Sequence, residues 1–263
     1  MPAGHNVRRA RLTPRRLGSL SLVALASLAC ETRPEAAPLT GARAADKLLL
    51  GEQLDPAQWP ASLQLGRCSA TLIGPRVVLT AAHCASRQQF RELRERRGLV
   101  VKACEKAGRS SRAPDLALAL LDADAPLEPA ERLEQRKGRE PRLNDSLYLT
   151  GCGYTETGGR GLRGAWAKVI ELADEPGECV RIRLIGAAVT PGDSGGAVYD
   201  SDGPHRRLVG VVVKSGPRPG EACFESLLAT EARALLSRFE SKYGQQGAAL
   251  CGRSRGLAAK ICR

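Results

Sequence analysis

Aromatic side chains are scarce in this chain: three Phe, two Trp and four Tyr make up 3% of its 263 residues. Proteins that hold single-stranded nucleic acid stack bases on such rings. A formal net charge of +12 without aromatic-rich basic motifs therefore predicts no nucleic-acid partner. Histidine is scarcer still, with three copies, and only His83 adjoins a cysteine. No spacing suits a zinc site, and no metal or cofactor is expected. The apolar stretch at residues 17–29 is too short to cross a bilayer as a helix. Glycine (28) and proline (16) are plentiful instead. They separate short Val/Leu runs, the pattern of an all-β chain. This length can hold one large or two small domains with a sizeable core.

The N-terminus reads as an address rather than as structure. Arg8, Arg9, Arg11, Arg15 and Arg16 precede the apolar stretch, so residues 1–29 fit an export signal, and Arg15-Arg16 also hints at a twin-arginine signal. Its removal lowers the net charge from +12 to +7, since it holds five arginines and no acid. Two readings of Cys30 stay open. It is the lipid acceptor of a bacterial cell-surface or periplasmic lipoprotein, attached to the membrane, or signal cleavage after Ala26 or Ala29 leaves a secreted chain. Lipidation of Cys30 would leave eight cysteines to pair, as export favours. Residues 31–47, with Pro34, Pro38 and Gly41, read as a tether or propeptide.

Three stretches carry chemistry. Thr190-Pro191-Gly192-Asp193-Ser194-Gly195-Gly196 is too glycine-rich for a regular element and suits a loop whose N–H groups converge on an oxygen. Leu79-Thr80-Ala81-Ala82-His83-Cys84 places one base in a small, apolar setting. Ala113-Pro114-Asp115-Leu116 opens an apolar run with a carboxylate; Asp122 and Asp124 at the far end of that run are alternatives. Ser, His and Asp are the parts of an acyl-transfer triad. Gly192-Asp193-Ser194-Gly195-Gly196 also satisfies the nucleophile elbow of α/β-hydrolases. That fold needs a histidine after the serine, and the one there, His205, lies in a polar turn.

The order His83, Asp115, Ser194 and the residues around each resemble the trypsin/chymotrypsin-like serine proteases. Cys68-Ser69-Ala70-Thr71, Thr150-Gly151-Cys152-Gly153 and Leu208-Val209-Gly210-Val211 extend the likeness over roughly residues 48–239. The resemblance implies two six-stranded antiparallel Greek-key barrels with a C-terminal helix. The protease domain would span 48–243, with barrel one at about 48–133, barrel two at about 143–228 and the helix at about 230–243. Residues 244–263 remain as a basic, cysteine-containing tail. Strands are expected near 61–65, 70–73, 77–80, 99–103, 116–121, 146–150, 165–172, 179–184, 196–199 and 208–213. Residues 87–97 read as a short exposed helix, and Thr230 as the N-cap of the last one.

By the same resemblance the chain is an exported, monomeric serine endopeptidase that acts on protein or peptide through an acyl-enzyme. Ser194 would be the nucleophile, His83 the base, Asp115 its orienting acid, and Gly192 and Ser194 the oxyanion donors. Ala188, with Val213, Lys214 and Ser215 as the wall, would form an uncharged pocket for a small or apolar residue. Cleavage after Lys47 by an activating protease would free the Leu48 amine to pair with Asp193. Cys68 and Cys84 are expected to form a disulfide. The alternatives are a non-catalytic, protease-like binding protein and an esterase or other acyl transferase on the same barrel.

Overall fold

A computed structural model describes residues 51–107, 113–126, 130, 131, 133, 140–175, 178–201 and 206–251. The first sheet contains β2 (Ser62–Leu65), β3 (Cys68–Gly74), β4 (Val77–Ala81), β5 (Val101–Lys106) and β6 (Leu116–Leu121). These strands are antiparallel in the order β2-β3-β4-β6-β5. β6 reads Leu-Ala-Leu-Ala-Leu-Leu and is buried throughout. Its alternation sends Leu116, Leu118 and Leu120 to one core, and Ala119 and Leu121 to another, because successive side chains point to opposite faces.

The second sheet contains β7 (Ser146–Gly151), β8 (Arg163–Glu171), β9 (Val180–Leu184), β10 (Ala197–Tyr199), β11 (Leu208–Ser215) and β12 (Glu221–Ser226). Its order β8-β7-β10-β11-β12-β9 returns to β8 through a β8–β9 pairing, so six strands close into a barrel. Val169, Ile182, Val198, Val212 and Phe224 fill it. A short β1 (Glu52–Gln53) adds to the outer edge of β8.

The expected two-barrel fold is present, with one difference. Among the described residues the first half has five pairing strands rather than six, and β5 pairs with β6 alone. The expected strands all form, within a few residues of their predicted ends. β1 and β12 were not anticipated.

Two helices complete the chain. α1 (Arg87–Arg97) is capped by Ser86, whose Oγ accepts the Gln89 N–H, and ends at Gly98 with φ of 67°. It buries only Leu93, as its charge predicted. α2 (Thr230–Tyr243) buries Ala232, Leu235, Leu236, Phe239 and Tyr243. One correction applies. Ala229, not Thr230, is the N-cap, and no side chain caps it; Thr230 is already the first helical residue. Ala232 is buried on the apolar face of α2, whereas Ala234 is exposed.

An apolar cluster spans both halves, and aromatic and charged groups reinforce it. Trp59 stacks on Tyr148 (5.6 Å between centroids), and the Arg206 guanidinium lies 3.7 Å over its ring. Arg206 also pairs with Glu131 at 2.7 Å, each side chain 8% exposed, and donates to the Gln58 carbonyl. The segment past α2 is seated in the body. Cys251 N–H donates to the Ile73 carbonyl, and Leu133 N–H donates to that of Cys251.

Candidate active site

Strand register brings the histidine and the acid together. β4 and β6 pair with Ala81 opposite Leu116, so the residues just beyond the end of β4 meet those just before β6. Ala82 N–H donates to the Asp115 carbonyl at 3.1 Å. Asp115 then spends both carboxylate oxygens on His83: Oδ1 accepts its backbone N–H at 2.9 Å, and Oδ2 meets ring Nδ1 at 2.6 Å. This two-point grip fixes the ring and leaves Nε2 as its free nitrogen. Half-burial of Asp115 works against its charge, but the bonds and charge of His83 outweigh it and hold the carboxyl below its usual value. Asp122 and Asp124 lie at the other end of β6, and Asp124 faces Arg76 instead.

The serine loop is tied to the first sheet by backbone. Ser69 N–H donates to the Ser194 carbonyl at 2.7 Å, and Ser69 Oγ donates to the Gly192 carbonyl at 2.7 Å. Ser69 Oγ also accepts the Cys152 N–H. Gly195, with φ of 86°, fits so closely that a Cβ would stand 2.0 Å from the Ser69 oxygen and 2.3 Å from Thr80 Oγ1. Cys68 and Cys84 form the expected disulfide. Its Cys84 sulfur lies 3.6 Å from the Ser194 carbonyl and within 4.8 Å of a His83 ring nitrogen, so ring and serine flank one bridge. That bridge ties up both sulfurs, which takes the Cys68–His83–Cys84 cluster out of metal ligation.

The Ser194 hydroxyl itself donates to the Val213 carbonyl at 3.2 Å, not to His83. Among the described residues the N–H groups of Gly192 (φ of 107°) and Ser194 have no acceptor, the condition for binding an incoming oxyanion.

Asp193 is buried behind the loop. It accepts from Thr190 N–H (2.7 Å), Thr190 Oγ1 (2.9 Å) and Gly153 N–H (2.8 Å). Burial nevertheless pushes its carboxyl up to about 6 against these bonds and the nearby Arg160 charge. Arg160, buried beside it, donates to the carbonyls of Cys152, Gly66, Cys68 and Gly192. A Cβ on Gly192 would stand 2.9 Å from its Nη2.

Of the expected pocket residues, Val213 is buried, Ala188 half-buried, and Lys214 and Ser215 exposed on β11. Lys47, Leu48 and Cys30 lie outside the described residues. Cys179 pairs with Cys223, and Cys152 and Cys251 are also disulfide-bonded. The expectation that all eight cysteines other than Cys30 pair is corrected: Cys104 is free, on the edge strand β5 with its thiol pushed up to about 11 by burial. The tasks of three site residues escaped the sequence reading. Ser69 lies in the Cys68-Ser69-Ala70-Thr71 motif but its task was not read from it, Arg160 donates to four backbone carbonyls, and Glu225 accepts the Asp115 N–H at 3.0 Å; no local motif marks Arg160 or Glu225.

None of the curated proteins matches this chain. Among solved structures, human heparin binding protein is similar at 19% identity and a TM-score of 0.55, covering 70% of this chain and 93% of that one. A scabies mite inactivated protease paralogue is similar at 18% identity and a TM-score of 0.55, covering 74% and 99%. At such identities these neighbours speak for the fold alone. The family model described as Trypsin matches residues 51–223, from the segment that opens β1 to the half-cystine of β12, and takes in all three motifs. The chain belongs to the trypsin family.

Proposed function

We propose that the protein is an exported serine endopeptidase. The observation that carries this reading is the two-point contact of Asp115 with His83, next to a serine loop with two acceptor-free N–H groups. Ser194 Oγ turns from Val213 to His83 Nε2 and passes its proton there while attacking the substrate carbonyl. Gly192 and Ser194 N–H hold the oxyanion, each contributing about 3 kcal/mol. His83 returns the proton to the leaving amine, and water repeats the sequence on the acyl-enzyme. The half-buried, uncharged Ala188 supports a preference for small or apolar residues before the cut. Cleavage after Lys47 would supply an amine to Asp193, whose burial leaves it short of positive charge. Cys30 would anchor the mature chain. Intact-mass and N-terminal analysis of active protein tests both.

Labelling by a fluorophosphonate, lost in Ser194→Ala, tests the reaction class; a wild-type protein that never labels would sink it. A peptide panel tests specificity, and strongest cleavage after Arg would reject the pocket reading. One observation favours a second reading, a non-catalytic binding protein: the Ser194 hydroxyl is bonded to Val213 rather than to His83. Peptide binding without turnover or labelling is its expected signature. Two similar structures, named a heparin binding protein and an inactivated protease paralogue, keep that alternative in view.

A further inference from the structure

Glu225 is a buried acid to which the triad assigns no task. Residues of β12 alternate between the barrel core, which receives Ala222 and Phe224, and the opposite face, which carries Glu221, Cys223 and Glu225. From that face Glu225, only 7% exposed, leaves the second barrel and reaches the first. Its Oε1 accepts the Asp115 N–H at 3.0 Å, across 110 positions of sequence. No other hydrogen bond reaches its carboxylate among the described residues. Asp115 is thus held by His83 at its side chain and by Ala82 and Glu225 at its backbone.

We propose that Glu225 is a positioning residue for Asp115 and His83, pinning the start of β6 from the second barrel. It also places a second negative charge behind Asp115 that favours the protonated ring of His83. The catalytic meaning of this proposal rests on the serine-endopeptidase reading; the electrostatics do not.

The charged groups facing Glu225 are Asp115, with His83 bonded to it, and Lys214 on β11. Burial, and then the Asp115 charge, push the Glu225 carboxyl up to about 7 against the Asp115 N–H and Lys214. Its charge is therefore present at pH 8 and mostly gone at pH 6. Glutamine keeps a carbonyl for the Asp115 N–H and removes the charge, whereas alanine removes both.

Two measurements test this. The His83 ring, one of three histidines, is followed by NMR across pH in a Ser194→Ala background, where no turnover is needed. Fluorophosphonate labelling rates are measured across pH in chains that retain Ser194. Glu225→Gln is expected to move the midpoint of the His83 ring signals to lower pH, and to carry the acid limb of labelling down with it. Glu225→Ala is expected to slow labelling about tenfold to a hundredfold at every pH. Superimposable His83 titrations with and without Glu225→Gln would overturn the proposal, and they remain decisive if the alanine variant does not fold. If wild type never labels while the His83 titration still moves, the Glu225 coupling stands and the endopeptidase reading falls.

Discussion

Asp115 shows how much one carboxylate does here. It orients a ring and fixes a backbone N–H, while the residue's own backbone N–H donates to Glu225 across the barrel interface. Asp115→Asn can still accept the His83 N–H, but its amide presents hydrogens to Nδ1 and favours the wrong ring tautomer. Fluorophosphonate labelling should fall about 10³–10⁴-fold with the fold retained, as near-unchanged circular dichroism would verify. Gly195→Ala is a different kind of lesion. Its φ of 86° and the 2.0 Å approach to the Ser69 oxygen leave no room for a methyl, so thermal denaturation should show a loss of about 2 kcal/mol or more. His83, Asp115 and Ser194 were legible because their chemistry fixes their neighbours in sequence. The tasks of Ser69, Arg160 and Glu225 were not, because each acts on backbone groups that only folding brings near.

Among elements, the strands that were legible have apolar runs bounded by turn residues, as in Val77–Ala81 and Leu116–Leu121. β12 escaped because its positions on the face away from the barrel core are Glu221, Cys223 and Glu225, which make a buried strand look like a charged loop. The acid at its start is balanced by Arg183 at 2.9 Å, a partner invisible in sequence. β12 is also cross-linked: Cys179–Cys223 closes a separation of 44 residues. In the chain-entropy picture, replacing both with serine costs about 4 kcal/mol, readable as a lower denaturant midpoint. In α2, Phe239 is fully buried against Tyr243, and Phe239→Ala should cost about 3–5 kcal/mol.

For the whole molecule, the buried acids set how stability follows pH. Asp193 and Glu225 have folded values raised to about 6 and about 7, so between their unfolded and folded values the native state binds more protons. Stability therefore falls as pH rises from about 5 to 8. Asp115 acts oppositely, its value being lowered, and its contribution is lost as pH falls through its folded value. The melting temperature should thus be higher at pH 5 than at pH 8, while activity, which needs a neutral His83, should be higher at pH 8. A flat melting profile over that range would contradict the burial of these acids. If cleavage after Lys47 gives Asp193 an ammonium partner, the processed form should lose part of this dependence. The halves of the molecule also stand on Arg206, which is shared by Trp59, Gln58 and Glu131. Arg206→Ala breaks the buried Arg206–Glu131 pair, and equilibrium unfolding should register a loss of about 3–5 kcal/mol.

The seating of Cys251 against Ile73 and Leu133 bears on the timing of synthesis. The early-made half cannot complete these hydrogen bonds until the segment past α2 has been made, so its backbone pairing is finished only after the second barrel exists.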